Sequence, residues 1–133
     1  MAFFLDTNIV CYAVASGPKQ PVAAALVARG PIISIQTLNE FTLVARRKWG
    51  CDWSMIGELV ENLLASASDL RALNLPTHDK GRELAERHQI NFYDAMIVSA
   101  ALLADCETLY SEDMQDGMII EDRMIIRNPF PAS

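Results

Sequence analysis

The chain is poor in the residues that soft metal sites and disulfide frameworks need. It has 2 histidines and 3 cysteines in 133 residues. Cys11, Cys51 and Cys106 are odd in number, widely spaced and without a metal-binding pattern. They read as reduced thiols of a cytoplasmic protein. His78 and His88 have no ligand partner nearby and read as helix-end residues. No apolar run reaches the ~20 residues of a membrane span. The N-terminus enters an apolar stretch directly, without a basic segment or cleavage site, so export is not expected. Repeats, low-complexity tracts and linkers are also missing, so one domain over residues 1–133 is expected.

Basic charge is scarce too. There are 11 Lys and Arg against 17 Asp and Glu, a net charge of -6. That argues against a nucleic-acid partner, whose phosphates usually select a basic surface. The objection weakens if several acids share one metal pocket. Setting aside Asp6, Glu40, Asp94, Asp113 and Asp116 takes 5 from 17, leaving 12 acids against 11 bases. The acidity is then local, and bound cations invert the field there.

What the chain has is apolar residues, 51% of the total. They alternate between short buried runs and helical stripes. Ala2–Leu5 reads as a strand buried on both faces, broken by Asp-Thr-Asn and followed by a helix from about Asn8. Asp6 then stands at the carboxyl end of a central strand, where open α/β sheets bind ligands. It equally suits a helix cap. A second helix is expected from Pro18 or Pro21 to Arg29, and a strand at Ile32–Ile35.

The next helix starts at Ser34 or Thr37 and runs to about Lys48. Leu38, Phe41, Val44 and Ala45 form its apolar stripe, with Glu40 set among them. Glu40 is either a solvated helical residue or part of a polar cleft. Arg46-Arg47-Lys48 complements the helix dipole. Arg47 lies seven residues beyond Glu40, on nearly the same face, and is a candidate phosphate contact. Trp53, Ile56, Leu59, Val60, Leu63 and Leu64 define a fourth helix. Leu70–Leu75 is expected as a third strand, and Pro76-Thr77-His78-Asp79 opens another helix.

Asn91–Ala104 is apolar almost all round, the mark of a helix buried in the fold. Asp94 is its one charge. Buried charges need partners, and Asn91 already offers a cap side chain, so Asp94 is a functional candidate. Glu107–Tyr110 reads as a strand, with Asp113 and Asp116 in the polar loop beyond it. Asp116-Gly117 also suits a tight bend. Met118–Ile120 and Met124–Ile126 form an edge hairpin or a final strand.

Strands alternating with helices indicate an α/β fold, an α/β/α sandwich around a mainly parallel sheet. Asp6, Asp113 and Asp116 then share one sheet edge, with Glu40 and Asp94 on helices that start there. Such acids repel and raise one another's pKa. A hard divalent cation resolves this, and oxygen-only ligands select Mg²⁺ or Mn²⁺. A metal so held activates water for in-line attack on a phosphodiester.

The ordered set Phe4-Leu-Asp-Thr-Asn8, Leu38-Asn-Glu-Phe41, Phe92-Tyr-Asp-Ala-Met-Ile97, Leu109-Tyr-Ser-Glu-Asp113, Gln115-Asp-Gly117 and Asn128-Pro-Phe130 resembles PIN-domain ribonucleases of the VapC toxin type. The resemblance implies an acidic quartet at Asp6, Glu40, Asp94 and Asp113. It implies supporting roles for Asn8 and Ser111, with Asp116 as a further metal-site candidate. It also implies Mg²⁺- or Mn²⁺-dependent endoribonuclease activity, dimerisation, and inhibition by a cognate antitoxin. The antitoxin groove is expected around Ile9, Tyr12 and the Leu38–Val44 stripe.

Other classes use similar parts. An aspartyl-phosphate phosphatase also places Asp after its first strand, but needs a second Asp two residues on, where this chain has Asn8. A receiver-like module uses acids and Mg²⁺ but no Glu40 inside a helix. A non-catalytic RNA-binding module leaves RNA intact.

Overall fold

A computed structural model describes residues 1–131. β1 (Phe3–Leu5) is the hub of a six-stranded sheet ordered β3-β2-β1-β4-β6-β5. Its neighbours β2 (Ile32–Ser34) and β4 (Thr108–Tyr110) both run parallel to it. β3 (Asp69–Arg71) extends the sheet beyond β2, and β6 (Met124–Arg127) extends it beyond β4. Only β5 (Ile119–Ile120), paired with β6, is antiparallel among the described strands. The β5–β6 turn places Glu121 and Asp122 at φ 49° and 56°, the left-handed geometry of a tight hairpin. The expected hairpin is therefore present, with β6 inside the sheet and β5 at its edge.

Alternation along β1 divides the core into two. Phe4 packs on one face with Leu84, Ile97, Leu102 and Leu109. Phe3 and Leu5 pack on the other with Ile9, Val10, Leu26, Phe41 and Leu63. The first face is covered by α5 (Leu75–His88) and α6 (Phe92–Leu103). The second is covered by α1 (Thr7–Val14), α2 (Gln20–Ala28), α3 (Ile35–Arg47) and α4 (Trp53–Ser66). This is the expected α/β/α sandwich.

The helix ends follow their sequence signals. Asp6, Ser34, Asp52, Asn74 and Asn91 each cap a helix with a side-chain acceptor. Ser34 and Thr37 form a reciprocal box at the start of α3. α6 is the expected buried helix, with every residue from Ala95 to Leu102 inside. Its approach to α5 is close, since a Cβ at Gly81 would lie 2.7 Å from Met96 Sδ.

The third strand differs from expectation. It covers Asp69–Arg71 rather than Leu70–Leu75, and all of it is exposed. It is an edge strand, so no second neighbour imposes an apolar alternation on it. Leu75 belongs to α5 instead, because Asn74 caps that helix and Pro76 suits its first turn.

Candidate active site

β1 sits where the strand connections diverge to either side, so a crevice opens at its carboxyl end. The register pairs Leu5 with Tyr110. The next residues, Asp6 and Ser111, are therefore side by side. Ser111 Oγ donates to Asp6 Oδ2 at 2.8 Å, and the Thr7 N–H donates to Asp6 Oδ1 at 2.7 Å. Asp6 is both a helix cap and the floor of the crevice, so the two readings of it are compatible.

The crevice is a cleft of about 560 Å³. Asp6, Glu40, Asp94 and Asp113 all line it, with Thr7 and Asn8 between them. Each acid is presented differently. Asp6 is 4% exposed. Glu40 leans from the second turn of α3 and accepts the Thr7 hydroxyl at 2.6 Å. Asp94 stands in the first turn of α6, where Asn91 Nδ2 donates to its Oδ2 at 2.7 Å. Asp113 is exposed on the loop after β4.

The acids feel one another. Burial pushes Asp6 up to about 7, against the pull of Ser111 and Thr7, and the charges of Asp94 and Glu40 push it further. Burial also raises Asp94, opposed by its Asn91 hydrogen bond and reinforced by Glu40 and Asp113. The quartet is thus one electrostatic unit.

Asn8 and Ser111 both lie beside the acids. Asn8 lines the cleft, and its Oδ1 accepts the Glu112 N–H at 3.4 Å. Ser111 is fully buried and its Oγ also accepts the Met114 N–H at 3.2 Å. Asp116 is not brought to the cleft lining. It is exposed, and its Oδ1 accepts the Asn128 N–H at 2.9 Å. Arg47 is also outside the lining, which Lys48 joins instead. Lys48 caps α3 in helical geometry, its N–H bonded to the Val44 carbonyl at 2.8 Å, and so shares the face of cleft-lining Val44.

The cleft's remaining wall includes Cys11, Tyr12, Leu43, Val44, Lys48 and Trp49. Burial pushes the Cys11 thiol up to about 12, against the pull of Lys48. Of the expected apolar groove, Tyr12, Leu43 and Val44 line this wall. Ile9 and Phe41 are core residues at 0% exposure. Thr7, Lys48 and Trp49 were not expected in the site. Thr7 carried a signal, since the residue after Asp6 starts α1 and faces the same crevice.

Among the described residues, no three Asp, Glu, His or Cys side chains form a ready-made metal cage. The donor set nevertheless fits a hard cation. It is all oxygen, repulsive when empty, and spread around an open cleft with room for water. Mg²⁺ in particular retains several waters and uses few carboxylates directly.

A family model for the PIN domain matches residues 3–115. The chain belongs to the PIN domain family. No curated protein sequence matches it at a significant level. Solved structures share the fold. A toxin-antitoxin complex from Klebsiella pneumoniae is 17% identical at a TM-score of 0.73, with 99% of this chain and 100% of that one covered. VapC20 of Mycobacterium tuberculosis, described as a sarcin-ricin loop cleaving toxin, is 18% identical at a TM-score of 0.69, with 84% and 90% covered. VapBC2 from Rickettsia felis, bound to a DNA fragment from its promoter, is 21% identical at 0.69, with 96% and 98% covered. Among the described residues no helix is long and apolar enough to cross a membrane.

Proposed function

We propose that the chain is a Mg²⁺- or Mn²⁺-dependent endoribonuclease, residues 1–133 forming one PIN domain, and the toxin of a toxin–antitoxin pair. The observation that carries the reading is the convergence of Asp6, Glu40, Asp94 and Asp113 on one cleft at the carboxyl edge of the parallel sheet. PIN family membership and the toxin folds it resembles support it.

A metal bound there supplies an activated water and stabilises charge on the phosphodiester. This chain's residues set the geometry for that chemistry. Ser111 and the Thr7 N–H fix both oxygens of Asp6. The Thr7 hydroxyl orients Glu40, and the Asn91 amide orients Asp94. Asn8 supports the loop that carries Asp113. Lys48, which also lines the cleft, offers a positive charge to an RNA phosphate. Asp116 is a backbone anchor in this scheme, and Arg47 contributes only long-range charge.

The partners follow from this reading. They are an RNA substrate, a cognate antitoxin laid against the Tyr12–Leu43–Val44 wall, and a second copy in a homodimer. The protein acts in the cytoplasm. Incubation of the purified chain with total RNA tests the activity. Cleavage is expected with Mg²⁺ or Mn²⁺ and none with EDTA. Intact RNA under all conditions contradicts it, and a stable aspartyl phosphate formed from a small phosphodonor favours the phosphatase or receiver class instead.

A further inference from the structure

A second cluster, centred on Glu112, adjoins the cleft and shares Tyr12 with its lining. Glu112 lies between Ser111, which holds Asp6, and Asp113, which lines the cleft. Its own carboxylate reaches Tyr12, which lines the cleft, and Lys19, which does not. Oε1 accepts the Tyr12 hydroxyl at 2.6 Å, and Oε2 is bonded to Lys19 Nζ. The ammonium of Lys19 sits over the rings of Tyr12 and Phe130, at 4.8 Å and 5.4 Å from their centroids. Those rings meet edge to face at 5.3 Å. The Glu112 backbone is held as well, by Asn8 Oδ1. Tyr12 of α1 and Lys19 of the α1–α2 connection therefore hold the Glu112 side chain, and Phe130 of the C-terminal stretch packs on both of them.

This is more restraint than an ordinary surface glutamate receives. Surface ion pairs contribute little stability by themselves. A carboxylate held by a phenol, an ammonium and its own backbone loses its freedom to turn. The loop on both sides of it loses that freedom too.

We propose that Glu112 is a positioning residue: clamped by Tyr12 and Lys19, it sets the loop so that Ser111 meets Asp6 and Asp113 faces the cleft. This rests on the reading of the cleft as a metal site. Groups that orient metal ligands typically affect metal affinity ~10–100-fold.

Mn²⁺ titration of the full chain by calorimetry tests the proposal, with melting temperature in EDTA measured alongside. Glu112→Ala is expected to weaken Mn²⁺ about tenfold, at the lower end of that range. Tyr12→Phe is expected to weaken it in the same direction without changing any charge. Glu112→Gln keeps an oxygen for the Tyr12 hydroxyl and is expected to recover most of the loss. Parental Mn²⁺ affinity in both Glu112→Ala and Tyr12→Phe overturns the proposal, whatever happens to the melting temperature. Equal loss in Glu112→Gln and Glu112→Ala overturns it also, since the effect is then charge rather than placement. If Glu112→Ala does not fold, Tyr12→Phe and Glu112→Gln decide by the same criteria. Failure of the parental chain to bind Mn²⁺ overturns the metal-site reading itself, and the clamp with it.

Discussion

Ser111 Oγ lies 2.8 Å from Asp6 Oδ2, although the two residues are 105 positions apart in the chain. The contact follows from the sheet. β1 and β4 are parallel neighbours with Leu5 opposite Tyr110, so the first residue past each strand meets the other. Asp6 is thereby fixed before any metal or substrate arrives.

Ser111→Ala removes the hydroxyl that serves both Asp6 and the Met114 N–H. Two buried groups lose a partner. The expected cost is about 1–3 kcal/mol of stability, read from denaturant midpoints. Cleavage is expected to fall ~10–100-fold. Unchanged activity in the Asn8→Ala, Ser111→Ala double variant contradicts the supporting role of both residues.

Asp6 gives the metal-free protein an unusual pH dependence. Its carboxyl titrates near about 7 in the fold, against an ordinary 3.8. Between those values the folded chain holds more protons than the unfolded chain. Stability from this group is complete below about pH 4 and lost as pH rises to about 7, on the order of 4 kcal/mol. In EDTA the melting temperature is expected to be higher at pH 5 than at pH 8. Asp6→Asn is expected to flatten that difference, and Mn²⁺ to stabilise the parental chain more at pH 8 than at pH 5. A parental chain that is as stable in EDTA at pH 8 as at pH 5 contradicts the raised carboxyl.

Lys48 lines the cleft and Arg47 does not. RNA binding in the absence of cleavage, measured with Ca²⁺ in place of Mg²⁺, is expected to weaken more in Lys48→Ala than in Arg47→Ala. The salt dependence of binding is expected to drop by about one phosphate contact in the Lys48 variant. Equal effects assign both residues to long-range attraction.

An inhibitor of this cleft faces clustered carboxylates. A guanidinium matches them with paired, charge-assisted hydrogen bonds. The cognate antitoxin is expected to place an Arg there, with an amphipathic helix on the Tyr12–Leu43–Val44 wall. Changing that Arg to Ala is expected to restore cleavage while the complex persists on gel filtration. An antitoxin complex in which no basic side chain approaches Asp6, Glu40, Asp94 or Asp113 contradicts this mechanism.

Much of this was legible in the sequence because the signals were local. The apolar run at β1, the cap residues and the all-round apolar face of α6 each define an element without outside help. That Asp6, Glu40, Asp94 and Asp113 share one cleft was legible because acids recur after strands and at helix starts. What escaped depends on long-range packing. β3 is an exposed edge, so its residues carry no burial pattern. Lys48 enters the cleft one helical turn beyond Val44, with its N–H still bonded to the Val44 carbonyl, a face shared with the apolar stripe rather than with Arg47. Asp116 read as a metal candidate from its place after β4; in the fold it lies outside the cleft lining, and its Oδ1 accepts the Asn128 N–H across the loop. Glu112 was not singled out within the polar loop, since Tyr12 and Lys19 approach it only in the fold.

The most direct test is cleavage of a defined RNA as Mn²⁺ is titrated, with the parental chain and Asp94→Asn side by side. Asp94 keeps its place in α6 as Asn, and relief of repulsion from Glu40 and Asp113 leaves the fold at least as stable. The parental rate is expected to rise with Mn²⁺ and saturate, while Asp94→Asn stays at the EDTA baseline with an undiminished melting temperature. Cleavage by Asp94→Asn at the parental rate makes Asp94 a helix-cap residue and contradicts the four-carboxylate site.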